Sequence, residues 1–200
     1  IFFAFDFGRS MRAAALAMDG DWHDLGGAVA GETDGFMSLQ PLADIDDVSE
    51  RGWAAQWIAS ILSREKIDVT PETKDHVWTA LTSLASAPHE ERTLTGLSVL
   101  LQSNILKRAL QPYCLGGPYD RLLDAENEHL GSSSVQVFET DGLIGTAVAP
   151  AVLAYLFHRI EGRFDGRPTL LIIDEGWLAL DDADFAGKLR EWLKTLRKKN

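Results

Sequence analysis

Leu170-Leu171-Ile172-Ile173-Asp174-Glu175 sets four consecutive aliphatic residues directly ahead of two carboxylates. A continuous apolar run of this length, rather than an alternating one, is the pattern of a strand covered on both faces, as in a parallel sheet. In open α/β sheets ligands bind at the carboxyl ends of the strands, so two acids at such a tip stand where chemistry is done. Asp174 is placed to hold a magnesium ion near transferable phosphates, usually through a coordinated water, and Glu175 to polarise an attacking water. The competing reading is an ordinary strand exit whose acids are simply solvated.

Outward from this strand the same alternation of elements recurs. Ile1 to Phe7 reads as a short buried strand ending at Gly8. Ser10 is a candidate cap for an alanine-rich helix through Met18, and Trp22 to Leu25 a second strand closed by Gly26-Gly27. Val135 to Phe138 reads as a strand, Thr146 to Ile160 as an apolar helix, and Asp184 to Lys199 as an amphipathic helix with Phe185, Leu189, Trp192, Leu193 and Leu196 inward. Strand–helix–strand order of this kind belongs to an α/β fold with a mostly parallel sheet.

The middle of the chain breaks the pattern. Trp53, Trp57, Ile58, Ile61 and Leu62 fall on one helical face, and Thr70-Pro71-Glu72 is a helix start with a polar cap, proline at the first position and an early acid. Val77, Leu81 and Leu84 continue that helix, and residues 94–110 give one or two more. No convincing strand interrupts them. The expected organisation is therefore a first core segment at 1–45, an all-helical insertion at 46–115 and a second core segment at 116–200.

Composition narrows the function classes. With 46% hydrophobic and 24% charged residues the chain is an ordinary globular sequence. A formal net charge of −11 makes it a poor non-specific binder of nucleic acid. The charge is uneven, with six bases against two acids over residues 184–200. Cys114 is the single cysteine, which excludes an internal disulfide framework and a paired-cysteine zinc site, and the five histidines show no ligand spacing. The longest charge-free run, Gly142 to Phe157, is shorter than a membrane span and holds Pro150. A Gly-x4-Gly-Lys-Ser/Thr phosphate loop does not occur in these 200 residues. The chain opens on an apolar run without methionine and closes on Lys198-Lys199-Asn200, so both ends read as cut from a longer protein.

Four segments in order carry a family resemblance: Phe5-Asp6-Phe7-Gly8-Arg9-Ser10, Gly117-Pro118-Tyr119-Asp120-Arg121-Leu122-Leu123-Asp124, Ile173-Asp174-Glu175-Gly176-Trp177 and Leu193-Lys194-Thr195-Leu196-Arg197-Lys198-Lys199-Asn200. Together they resemble the conjugal-transfer ATPases of bacterial type IV secretion systems, the CagE/TrbE/VirB family, and are most similar to its TrbE branch. The resemblance implies a RecA-like P-loop NTPase core interrupted by an all-α insertion, with the phosphate loop on a strand before Ile1 and a Thr-Gln motif after Asn200. It implies ATP and Mg²⁺ as ligands, Asp174 as the acid of the Mg²⁺ site and Glu175 as the hydrolytic carboxylate. Asp6 and Arg9 would lie near the nucleotide edge, although Arg9 reads equally as a helix-start surface residue. Arg197 and Lys198 would face a neighbouring subunit, or merely complement a helix dipole. The family usually has lysine where this chain has Phe7.

The implied partners are further copies of the protein, as a hexamer, other inner-membrane and cytoplasmic secretion components and, indirectly, DNA or nucleoprotein cargo. The implied place is the cytoplasm, against the inner face of the bacterial inner membrane. A non-hydrolysing docking scaffold and a DNA translocase of the same superfamily are the rival expectations.

Overall fold

The apolar runs read as strands pair with one another in a single sheet. In the computed structural model, which describes residues 1–30, 37–174, 186–187 and 189–190, the strands are β1 (Phe2–Asp6), β2 (Asp21–Asp24), β3 (Val135–Glu139) and β4 (Leu170–Ile173). Every pairing is parallel, and the order is β2-β3-β1-β4. β1 therefore sits between β3 and β4, and its successor β2 pairs not with it but with β3.

Register explains the two faces. Phe5 lies beside Phe138 and Ile173, and Phe138 beside His23. On this face the Phe5 ring stands 5.2 Å from Phe138 and 5.0 Å from Phe157 of helix α8 (Ala149–Glu161). The opposite face buries Ala4 and Val137 against Ala15 of helix α1 (Arg12–Ala17), with Phe2, Trp22 and Ile172 packed around them. The fully buried Phe3, Phe5 and Phe138 each contribute about 1.5–3 kcal/mol by leaving water.

Two local expectations change. Ser10 does not cap α1: Met11 holds that position without a side-chain bond, and the Ser10 hydroxyl donates to Asp6 instead. Gly26-Gly27 does not close a strand: Leu25–Ala30 forms a short helix, α2, directly after β2. The carboxylate of Asp24 accepts the Gly27 N–H at 2.6 Å and so caps it, offsetting the poor helix propensity of two glycines.

The chain divides into two compact units, one of Ile1–Met37 with Gly131–Asn200 and one of Ser38–Leu130. The second is helical: α3 (Val48–Arg64), α4 (Pro71–Leu84), α5 (Leu94–Leu100), α6 (Asn104–Leu110) and α7 (Asp120–Leu123). Asp47, Thr70, Thr93 and Ser103 cap the first four through their side chains. Trp57, Ile58, Ile61 and Leu62 are buried with Val77, Leu81 and Leu84. Trp53 is only half-buried and stacks on Trp57 at 5.7 Å. This unit reaches beyond residues 46–115 at both ends because its ends bond to each other. The Leu39 N–H donates to Leu122, the Ala125 N–H to Leu39, and the His129 N–H to Ser38. Among the described residues no helix is long and apolar enough to cross a membrane.

Candidate functional site

Each strand of the sheet runs out into an acid. In sheet order these are Asp24 after β2, Glu139 at the end of β3, Asp6 at the end of β1 and Asp174 one residue past β4. Asp6 stands level with Glu139, and Glu139 with Asp24. The Asp174 N–H donates to the Phe5 carbonyl at 2.8 Å, carrying the β1–β4 ladder one step further so that Asp174 comes level with Asp6. Four carboxylates thus cross the carboxyl edge of a parallel sheet in one row, where ligands of α/β folds bind.

Three of the four are buried and committed to the backbone. Asp6, Glu139 and Asp24 are 0%, 0% and 2% exposed. Asp6 accepts the Ser10 hydroxyl at 2.5 Å and the Met11 N–H at 2.8 Å, fixing the start of α1. Glu139 accepts three backbone N–H groups, from Gly8 at 3.2 Å, Asp141 at 2.7 Å and Arg9. Buried charge is tolerated where it is hydrogen-bonded in this way. Asp24 accepts Gly27 on one oxygen and the Arg9 guanidinium on the other, at 3.1 Å.

These bonds shape the loop that leaves β1. Gly8 and Arg9 both adopt positive φ, +87° and +60°. For arginine that conformation costs about 1–2 kcal/mol, and the Glu139 carboxylate holds it by taking both amides. The guanidinium of Arg9, half exposed, is thereby drawn over the buried Asp24. The loop after β3 is locked to the loop after β2: a Cβ on Gly26 would stand 1.7 Å from the Asp141 carbonyl, so only glycine fits. The side chain and N–H of Thr140 both donate to the Asp6 carbonyl, at 2.7 and 2.9 Å.

The structure brings Asp6, Arg9 and Asp174 to one edge. Asp6 does so as a buried support, Arg9 as a partly exposed cation and Asp174 as an exposed acid. Glu175, Arg197 and Lys198 lie outside the described residues, as does nearly all of the helix expected over 184–199. Asp24 and Glu139 are the residues that sequence reading missed; the signal available was that an acid ends each apolar run.

No protein-family model matches the chain. Among curated proteins, it is 38% identical to a conjugal transfer protein TrbE of Sinorhizobium fredii over 99% of this chain and 30% of the relative. It is 39% identical to the conjugal transfer protein TrbE of Rhizobium radiobacter, over 99% of this chain and 24% of the relative. To the type IV secretion system protein virB4 of Bartonella henselae it is 30% identical over 72% of this chain and 19% of that protein. The chain thus spans less than a third of the length of these relatives. Among solved structures, VirB4 of Thermoanaerobacter pseudethanolicus superposes with a TM-score of 0.70 over 100% of this chain and 59% of the other, at 20% identity. That likeness establishes the RecA-like α/β fold. With near-complete alignment to two TrbE proteins and a VirB4-like fold, the chain belongs to the TrbE/VirB4/CagE family of conjugal-transfer and type IV secretion proteins.

Proposed function

We propose that this chain is the catalytic-edge portion of an ATP-hydrolysing motor that energises type IV secretion or conjugative transfer, driving channel or pilus assembly and substrate export. The observation that carries the reading is the row of strand-end acids. Three are buried as supports and the fourth, Asp174, is exposed at the tip of β4 beside the central strand. Family membership supports it independently.

In this reading the residues divide the work. Asp174 contributes one oxygen donor to Mg²⁺ through water. Magnesium keeps several waters and is commonly held by one or two carboxylates together with phosphate. A lone exposed carboxylate fits that demand, as does the lack, among the described residues, of any group of three side chains able to hold a metal alone. When bound, the ion neutralises charge between the β- and γ-phosphates. Glu175 orients the attacking water. Asp6 fixes the start of α1, and Arg9, half exposed over Asp24, offers a cation toward the nucleotide edge. Arg197 and Lys198 serve a neighbouring subunit in a hexamer. The partners are the other components of the secretion machinery, and the place of work is the cytoplasmic face of the inner membrane.

The test uses the full-length protein. Glu175→Gln is expected to retain ATP binding and lose turnover by about a hundredfold or more, the scale of a missing general base. Steady-state hydrolysis and equilibrium binding of a labelled ATP analogue read the two separately. Undiminished hydrolysis removes Glu175 from the chemistry and, if Asp174→Asn is equally silent, the motor reading with it.

A further inference from the structure

Val99, Leu100 and Leu115 are 71%, 41% and 79% exposed. They line one groove of about 590 Å³ in the helical unit, bounded by the end of α4, the turn at 89–91, α5 and the loop after residue 113. Exposed apolar side chains scattered singly carry no meaning, but three gathered in one concavity mark an interaction site.

The groove is built, not incidental. The Leu115 N–H donates to the Thr95 hydroxyl at 2.8 Å, which holds Leu115 to α5 in its exposed position. Thr95 in turn donates its N–H and its hydroxyl to Asp124, at 2.9 and 2.5 Å. Asp124 thus forms the floor; burial pushes its carboxyl above the ordinary range, against those hydrogen bonds. A Cβ on Gly96 would meet the Glu91 carbonyl at 2.3 Å, so the bare backbone there lets the 89–91 turn close one wall.

Its charge has one sign. Glu90, Glu91 and Glu126 are exposed around the rim, Asp124 lies beneath, and no Lys, Arg or His lines the groove. Lys107 approaches from outside, its ammonium 3.4 Å from the Val99 carbonyl. Four carboxylates repel a phosphate backbone or an anionic membrane surface. They complement a polypeptide whose apolar anchors are flanked by cations, the arrangement that speeds encounter and fixes register at interfaces.

We propose that this groove docks a segment of a protein partner carrying two or three aliphatic or aromatic side chains flanked by Lys or Arg. The proposal is independent of the nucleotide reading, since it invokes no residue of the sheet edge. The probe is a short fluorescein-labelled peptide of leucine pairs separated by lysines, titrated against full-length protein by anisotropy. Controls are the same peptide with glutamate for lysine and a lysine peptide with serine for leucine. The pair Val99→Asp with Leu115→Asp, and the triple Glu90→Lys, Glu91→Lys, Glu126→Lys, are each expected to weaken binding by about tenfold or more, roughly the loss of 1.4 kcal/mol. Both variants alter exposed side chains, and an unchanged thermal transition verifies that they fold. Absence of binding overturns the proposal. So does binding that survives the apolar pair, or a serine-lysine peptide that binds as well, because each reports only general attraction to an acidic protein.

Discussion

Glu139 is one side chain that organises three backbone amides, and its removal should be felt at each. Glu139→Ala leaves the N–H groups of Gly8, Arg9 and Asp141 without their acceptor, and a buried donor left unpaired costs about 1–3 kcal/mol. Hydrogen exchange is the direct check: these three amides should exchange faster in the variant while amides in the helical unit are unchanged. His23 gives a prediction in pH. Its ring stacks on Phe138 at 5.3 Å, and burial lowers its pKa below the ordinary 6.5, with nearby Asp21 opposing. The folded state therefore favours the neutral ring. Its contribution is fully present above the ordinary histidine range and is lost as pH falls through the lowered folded value. Denaturant midpoints should decline below pH 6.5, and His23→Leu should flatten that part of the profile. The sequence made Asp174 legible because it ends the most apolar run. Glu139 and Asp24 were not, since a lone acid at a strand end gives no sign of whether it faces water or a ring of amides.

At the level of elements, the strands and long helices were readable wherever one physical requirement dominated. Apolar continuity marked β1, β3 and β4, and the buried face of α3 and α4 followed from helical spacing. The errors fell where two requirements competed. Gly26-Gly27 carried the signature of a turn, yet Gly26 is there because the Asp141 carbonyl occupies the space of its missing side chain, and Asp24 caps the helix that follows. Gly26→Ala should consequently cost about 1–3 kcal/mol as a forced overpacking. The outcome is read as a lowered melting temperature together with altered backbone shifts at 141–142. A variant as stable as the parent would show that the two loops are not locked. Ser10 likewise satisfies the rules for a helix cap but is claimed by Asp6, which lies four residues earlier and is buried. Pairing order was beyond reach, because nothing local to β2 says that its neighbour arrives more than a hundred residues later.

For the molecule as a whole, the two units differ in how the chain builds them. The helical unit is one uninterrupted stretch, Ser38–Leu130, whose two ends are hydrogen-bonded together. A separately produced 38–130 polypeptide should fold by itself, with a cooperative loss of helical circular dichroism and a stability of roughly 5–10 kcal/mol. A gradual, non-cooperative melt would refute that autonomy. The sheet unit has no such independence, for its central strand β1 is flanked by β3 and β4 and so depends on partners from the far part of the chain. On the ribosome this imposes a schedule. Phe2-Phe3-Ala4-Phe5 emerges with neither neighbour yet made, and at cellular rates of synthesis it waits on the order of ten seconds for them. During that interval a nascent, greasy strand must be shielded, and the self-sufficient helical stretch completes its own folding in the meantime.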